Sequence, residues 1–104
     1  MVKKVTPFDI AEYLDSEEAI AAYLSAELAE GDPEYIKIAL RNIARARNMS
    51  ELARKTGLSR AGLYKALEPG SNPEFATIQK IINALDVKLM AEPANQDAQN
   101  VAVA

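Results

Sequence analysis

The stretch MSELARKTGLSRAGLYKAL, residues 49–67, decides the fold. Ser50 stands before a short amphipathic run, and its hydroxyl suits the N-cap of a helix over about 51–56. Leu52 and Ala53 face inward. Gly57 follows four residues after Ala53. A tight turn between two steeply crossing helices needs a left-handed residue there, and glycine adopts one with least strain. Ala53 is small, so the second helix can pass close to the first. Ser59 then caps that second helix. Leu58 and Leu63 flank the cap at the spacing of a hydrophobic staple. Leu63 and Leu67 anchor the helix to a core.

The outward face of the second helix carries Ser59, Arg60, Ala61, Tyr64 and Lys65, with Gly62 beside them. A DNA major groove admits one α-helix, and its base edges offer acceptors to Arg and Lys and methyl groups to Ala. Arg60 lies in the first turn, where a helix entering end-on reaches base edges. Ser50 and Arg54 on the first helix complete the candidate DNA-binding set, and Arg47 and Arg54 are candidates for backbone phosphates, a solvated surface being their plainer reading. The plainer reading of Arg60 and Lys65 is a solvated surface pair. Tyr64 fits a groove contact and a half-buried core position equally well.

Charge favours the first reading. The 104-residue chain has a net charge of −3, but the charges are segregated. Residues 1–36 hold nine acids and two bases, Lys3 and Lys4. Residues 37–65 hold eight bases (Lys37, Arg41, Arg45, Arg47, Arg54, Lys55, Arg60, Lys65) against Glu51 alone. Residues 66–104 return to five acids and two bases. A basic centre between acidic flanks sustains a local positive potential despite an acidic whole.

The flanking segments read as helices too. Asp9 with Glu12, and Asp15 with Glu18, form capping patterns, the first before a short segment near 10–14 and the second before a helix over about 16–29. The apolar stripe of that helix is Ile20, Tyr23, Leu24 and Leu28, of which Ile20, Tyr23 and Leu24 read as core and not as a partner site. Gly31 ends it. Asp32 caps the next helix, with Pro33 at the first position, where its missing N–H costs nothing. This helix runs to about Arg47 and buries Ile36, Leu40 and Ile43, beside Ala39 and Ala44. Lys37, Arg41 and Arg45 form an ordinary wet face. Asn48 is a left-handed stop. After the loop EPGSNPEF, Phe75, Ile78, Ile81, Ile82 and Leu85 stripe a closing helix over 75–85. Val87–Met90 alternates and is expected to be a strand. A lone strand has unpaired edges, which its copy in a second subunit would satisfy; Val87, Leu89 and Met90 are therefore the candidate dimer interface, the plainer readings being a strand paired within the monomer or an extended tail. From Pro93 onward the tail has little to bury and is expected to be flexible.

Composition narrows the chemistry. The chain has no cysteine and no histidine. Disulfides, thiolate catalysis, Cys/His zinc sites and histidine acid–base chemistry are excluded. The paired acids near the N-terminus are explained by capping. No catalytic residue, metal ligand or cofactor is expected, and the chain is not expected to be an enzyme. No apolar run nears the ~20 residues that cross a bilayer, and no signal-peptide core precedes residue 10. A cytoplasmic protein, away from any membrane, is expected.

Residues 49–67 resemble the helix-turn-helix of Cro/CI-like (XRE-type) regulators, through Leu52, Ala53, Gly57, Leu58 and Leu63, followed by NPEFATIQKIINAL. The likeness continues upstream. FDIAEYLDSEEAIAAYL and GDPEYIKIALRNIARARNMSELARKTGLSRAGLYKAL resemble the addiction-module antidote proteins, HigA-like antitoxins partnered with small HigB/RelE-like toxins. The resemblance covers roughly residues 7–91. Two positions depart from it: Gly62 stands where relatives carry a bulkier residue, and Asp86 where they carry a glycine before the final strand. The resemblance implies an all-α, five-helix, lambda-repressor-like domain over 1–92. Its parts are N-terminal helices over 8–47, the helix-turn-helix over 50–67, the closing helix over 75–85, a strand over 87–90, and then a tail over 93–104. It implies an antitoxin that neutralises a small basic toxin and binds double-stranded operator DNA as a homodimer to repress its own operon. A phage-like transcriptional regulator without a toxin, and a protein-interaction module that no longer binds DNA, are the alternatives.

Overall fold

The computed structural model describes residues 9–94. Lys3, Lys4 and residues 95–104 of the expected tail lie outside the described residues. A 3-10 helix, Ile10–Tyr13, precedes five α-helices: α1 (Glu17–Glu30), α2 (Pro33–Arg47), α3 (Met49–Thr56), α4 (Arg60–Ala66) and α5 (Phe75–Ala84).

Local sequence sets most of the boundaries. Asp9 caps the 3-10 turn, accepting from the Ala11 N–H at 3.1 Å. Ser16, and not Asp15, caps α1: its hydroxyl accepts from the Ala19 N–H at 3.0 Å. Gly31 ends α1 in the left-handed conformation, φ 81. Asp32 then accepts from the Glu34 N–H at 2.9 Å, with Pro33 at the first position of α2. Asn48 closes α2 and opens α3 with one residue. Its φ is 142, positive yet outside the left-handed helical well, and its side chain accepts from both Ser50 N (2.9 Å) and Glu51 N (3.1 Å). Ser50 is therefore not the cap expected of it; it is the second residue of α3, and its own N–H is one of the groups being capped.

The core gathers one stripe from each helix. Ile20 and Leu24 of α1, Leu40 and Ile43 of α2, Leu52 of α3, Leu63 of α4, and Ile81 and Ile82 of α5 are buried, with Leu14, Met49, Leu67 and Leu85 closing the ends. Each such side chain contributes about 1.5–3 kcal/mol through the apolar surface it removes from water. Three expectations fail here. Leu28 is 37% exposed, because it faces a groove between α1 and the segment after α5. Phe75 is 67% exposed: it is the first residue of α5, one turn before that helix meets the core at Ile78 and Ile81. Lys37, assigned to a wet face, is only 5% exposed. Its amine reaches a loop more than thirty residues away in sequence, bonding the Glu68 and Ser71 carbonyls.

Among the described residues there is no strand. Val87–Met90 follows Asp86, whose φ of 61 is left-handed, and takes no regular structure. Beyond the Val87 N–H bond to the Ile82 carbonyl (3.4 Å), the segment makes no backbone hydrogen bond to another described residue. A strand exists only through the ladder it shares with a neighbour, and among the described residues this segment has none.

Candidate nucleic-acid interface

The candidate interface is α3, the three-residue turn Gly57–Ser59, and α4. Gly57 sits at φ 79, ψ 6, and its N–H donates to the Ala53 carbonyl at 3.0 Å. Thr56, which pattern reasoning passed over, is buried and stitches the turn. Its hydroxyl donates to the Ala53 carbonyl (3.1 Å) and accepts from the Leu58 N–H (3.3 Å). Ser59 caps α4 as expected, accepting from the Gly62 N–H at 2.9 Å. Leu58 packs against the core below the cap, and Leu63 and Leu67 are buried behind α4. The helix is thus fastened along its inner side, and its outer side is left to solvent.

That outer side carries Arg60, Ala61 and Lys65, all exposed. Ser59 is exposed too, with its hydroxyl engaged in the cap. Ser50 and Arg54 share the exposed side of α3 four residues apart. Arg54 is held by Glu51 at 2.7 Å. Tyr64 is half-buried, packs against the core, and carries the Arg41 guanidinium over its ring at 5.5 Å. Its ring belongs largely to the body of the protein.

The eight bases of the centre separate into two groups. Five are committed internally. Lys37 pairs with Glu34 (3.0 Å), Arg45 with Asp9 (2.9 Å), Arg47 with Glu17 (3.8 Å) and Arg54 with Glu51, and Arg41 rests on Tyr64. Their partners respond: the Arg45 guanidinium, with the Ala11 N–H, holds the Asp9 carboxyl below the usual carboxylate range. The Gly70 N–H and then Lys37 do the same for Glu34. Lys55, Arg60 and Lys65 have no side-chain hydrogen bond or ion pair among the described residues. Lys55 borders a shallow hollow that also includes the carboxylate residues Glu51 and Asp86. Arg60 and Lys65 lie on α4, five residues apart.

A second surface lies apart from this one. An open groove runs between α1 and residues 86–92, with Leu24, Leu28, Val87, Leu89 and Met90 among its lining. Met90 is 84% exposed, Leu89 is exposed and Val87 is half-buried. These are the residues expected at a dimer interface. Among the described residues no group of three Asp or Glu side chains is placed to hold a metal ion, and no helix is long and apolar enough to cross a membrane.

Residues 4–93 match the family model described as probable addiction module antidote protein. An uncharacterised protein of Haemophilus influenzae is 49% identical over 92 residues, which cover 88% of this chain and 95% of that protein. No solved structure matches.

Proposed function

Because the chain belongs to the family of probable addiction module antidote proteins, we propose that it is the antitoxin of a type II toxin–antitoxin module. In this reading it neutralises a small, basic, HigB/RelE-like toxin and binds operator DNA to regulate its own operon. It works in the cytoplasm by binding and not by catalysis. The family match over residues 4–93 carries the antitoxin half. The DNA half is supported by Arg60 and Lys65, exposed and without an ion-pair partner among the described residues, on a helix that is fastened from behind. Arg60 enters the major groove and Lys65 meets a phosphate. The acids along α1 (Glu18, Glu27, Glu30) offer a complementary field to a cationic toxin.

A homodimer completes the reading. Val87–Met90 pairs with the same segment of a second copy, which supplies the ladder that the described residues lack and covers Leu89 and Met90. A two-fold assembly of this kind sets two α4 helices about 34 Å apart, one turn of DNA.

The test is the neighbouring reading frame. A short basic protein encoded beside this chain, toxic when expressed alone and harmless when the two are co-expressed and co-purify, is the expected result. A neighbour without toxicity, or toxicity that this chain does not relieve, contradicts the antitoxin assignment. Binding to the upstream DNA would then leave a regulator without a toxin.

A further inference from the structure

Lys37 sits on α2, yet its bonds lead to α4. Its Nζ donates to the Glu68 carbonyl (3.3 Å), the Ser71 carbonyl and the Ser71 hydroxyl (3.2 Å), and pairs with Glu34 at 3.0 Å. The Ser71 hydroxyl in turn donates a hydrogen bond to the carbonyl of Ala66, the last residue of α4, at 2.7 Å. The other Glu34 oxygen accepts from the Gly70 N–H at 3.1 Å. Two side chains in the first turns of α2 thus hold residues 68–71 through four hydrogen bonds, at Glu68, Gly70 and Ser71, and reach the C-terminal end of α4 through one hydroxyl.

The placement has a consequence. A seven-residue helix has little stability of its own, so its direction is set by what holds its two ends. The Ser59 cap and Leu58 hold the first end. Leu67 and the clamped loop hold the second. A buried amine is tolerated only when its donors are satisfied, and here each acceptor belongs to the loop or to Glu34. Lys37 is thus fully engaged and too buried to touch a duplex.

We propose that Lys37 and Glu34 are positioning residues for α4, setting the angle at which Arg60 and Lys65 meet DNA without touching it. This rests on the DNA-binding reading above. Phosphate contacts tolerate small tilts, whereas base contacts do not, so the pair governs discrimination between sequences more than overall affinity.

The experiment uses the full chain, the duplex upstream of its own gene and an unrelated duplex of equal length. Affinity is measured across a salt series for the wild type, Lys37→Met and Ser71→Ala. Ser71→Ala keeps the amine buried and removes only the hydroxyl bridge, so it is the milder change. Lys37→Met is expected to weaken binding to the upstream duplex about tenfold, with unrelated DNA within about twofold and an unchanged salt slope. Ser71→Ala moves the ratio the same way by about threefold. The Gly70 and Leu67 amides are expected to exchange faster with solvent in Lys37→Met. An equal loss on both duplexes with a salt slope smaller by about one would make Lys37 a phosphate contact and overturn the proposal. So would unchanged discrimination in Ser71→Ala. A wild type that binds neither duplex refutes the DNA-binding reading itself, while a discriminating wild type with equally discriminating variants refutes only the positioning role.

Discussion

The Arg41 guanidinium of α2 lies 5.5 Å over the ring of Tyr64 on α4. This contact joins the helix of the body to the helix of the candidate interface, and it takes one face of the tyrosine out of play. Replacing Arg41 by Ala is expected to lower stability by about 0.5–1 kcal/mol, the range of a partly solvated cation–π contact. Tyr64→Phe keeps the ring and is expected to leave both stability and DNA affinity nearly unchanged. A large affinity loss in Tyr64→Phe would instead assign its hydroxyl to the duplex.

The junction of α2 and α3 gives a sharper stability prediction. Asn48 caps two N–H groups and holds φ 142. Asn48→Ala loses both functions and is expected to cost about 1–2 kcal/mol in chemical denaturation. Asn48→Gly keeps the backbone freedom and is expected to cost less. Ser50→Ala touches neither and is expected to stay within about 0.5 kcal/mol.

Two positions, Asp86 and Gly62, should be improvable. Asp86 holds φ 61, a conformation that glycine reaches without strain; Asp86→Gly is expected to be neutral or to stabilise by up to about 1 kcal/mol. Gly62 is the third residue of α4, and a Cβ there would meet the Ser59 hydroxyl oxygen at 3.1 Å, so that the capping hydroxyl must give slightly while keeping its bond to the residue 62 N–H. Gly62→Ala is expected to gain about 0.5–1 kcal/mol of helix stability. A loss in thermal unfolding would mean the Ser59 cap does not yield.

Acid should weaken the fold through two named carboxylates. Asp9 and Glu34 both have folded-state pKa values below the ordinary ones. A lowered folded value means that ionisation favours the folded state. The contribution is therefore complete above the usual carboxylate pKa of about 4, and is lost as pH falls below that through the lowered values. Asp9→Asn and Glu34→Gln should each flatten the acid limb of a stability–pH curve. An unchanged limb would show that Arg45 and the Gly70 N–H do not hold these groups in solution.

What the sequence made legible was local. Gly31 and Gly57, the caps at Asp9, Asp32 and Ser59, and the buried faces of α2, α3 and α4 follow from residues within one turn of each other. The misses depend on distance or on competition. Lys37 looked solvated because its partners, Glu68 and Ser71, lie more than thirty residues on in sequence. Ser50 had the right chemistry for a cap, but Asn48 stands two residues earlier and takes both N–H groups. Phe75 kept the stripe's period yet fell one turn beyond the core. At the interface, the spacing picked out Arg60 and Lys65 but could not show that five neighbouring cations are paired off. Composition counts charges and does not pair them.

The central claim is that α4 presents Arg60 and Lys65 to a duplex. The direct measurement is affinity for the DNA upstream of its own gene across a salt series, for the wild type and for Arg60→Ala. The account predicts wild-type affinity falling steeply with salt, and for Arg60→Ala a loss of about 1–3 kcal/mol concentrated at one base-pair position of the operator. Salt-independent binding, no binding, or an Arg60→Ala variant indistinguishable from the wild type would contradict it.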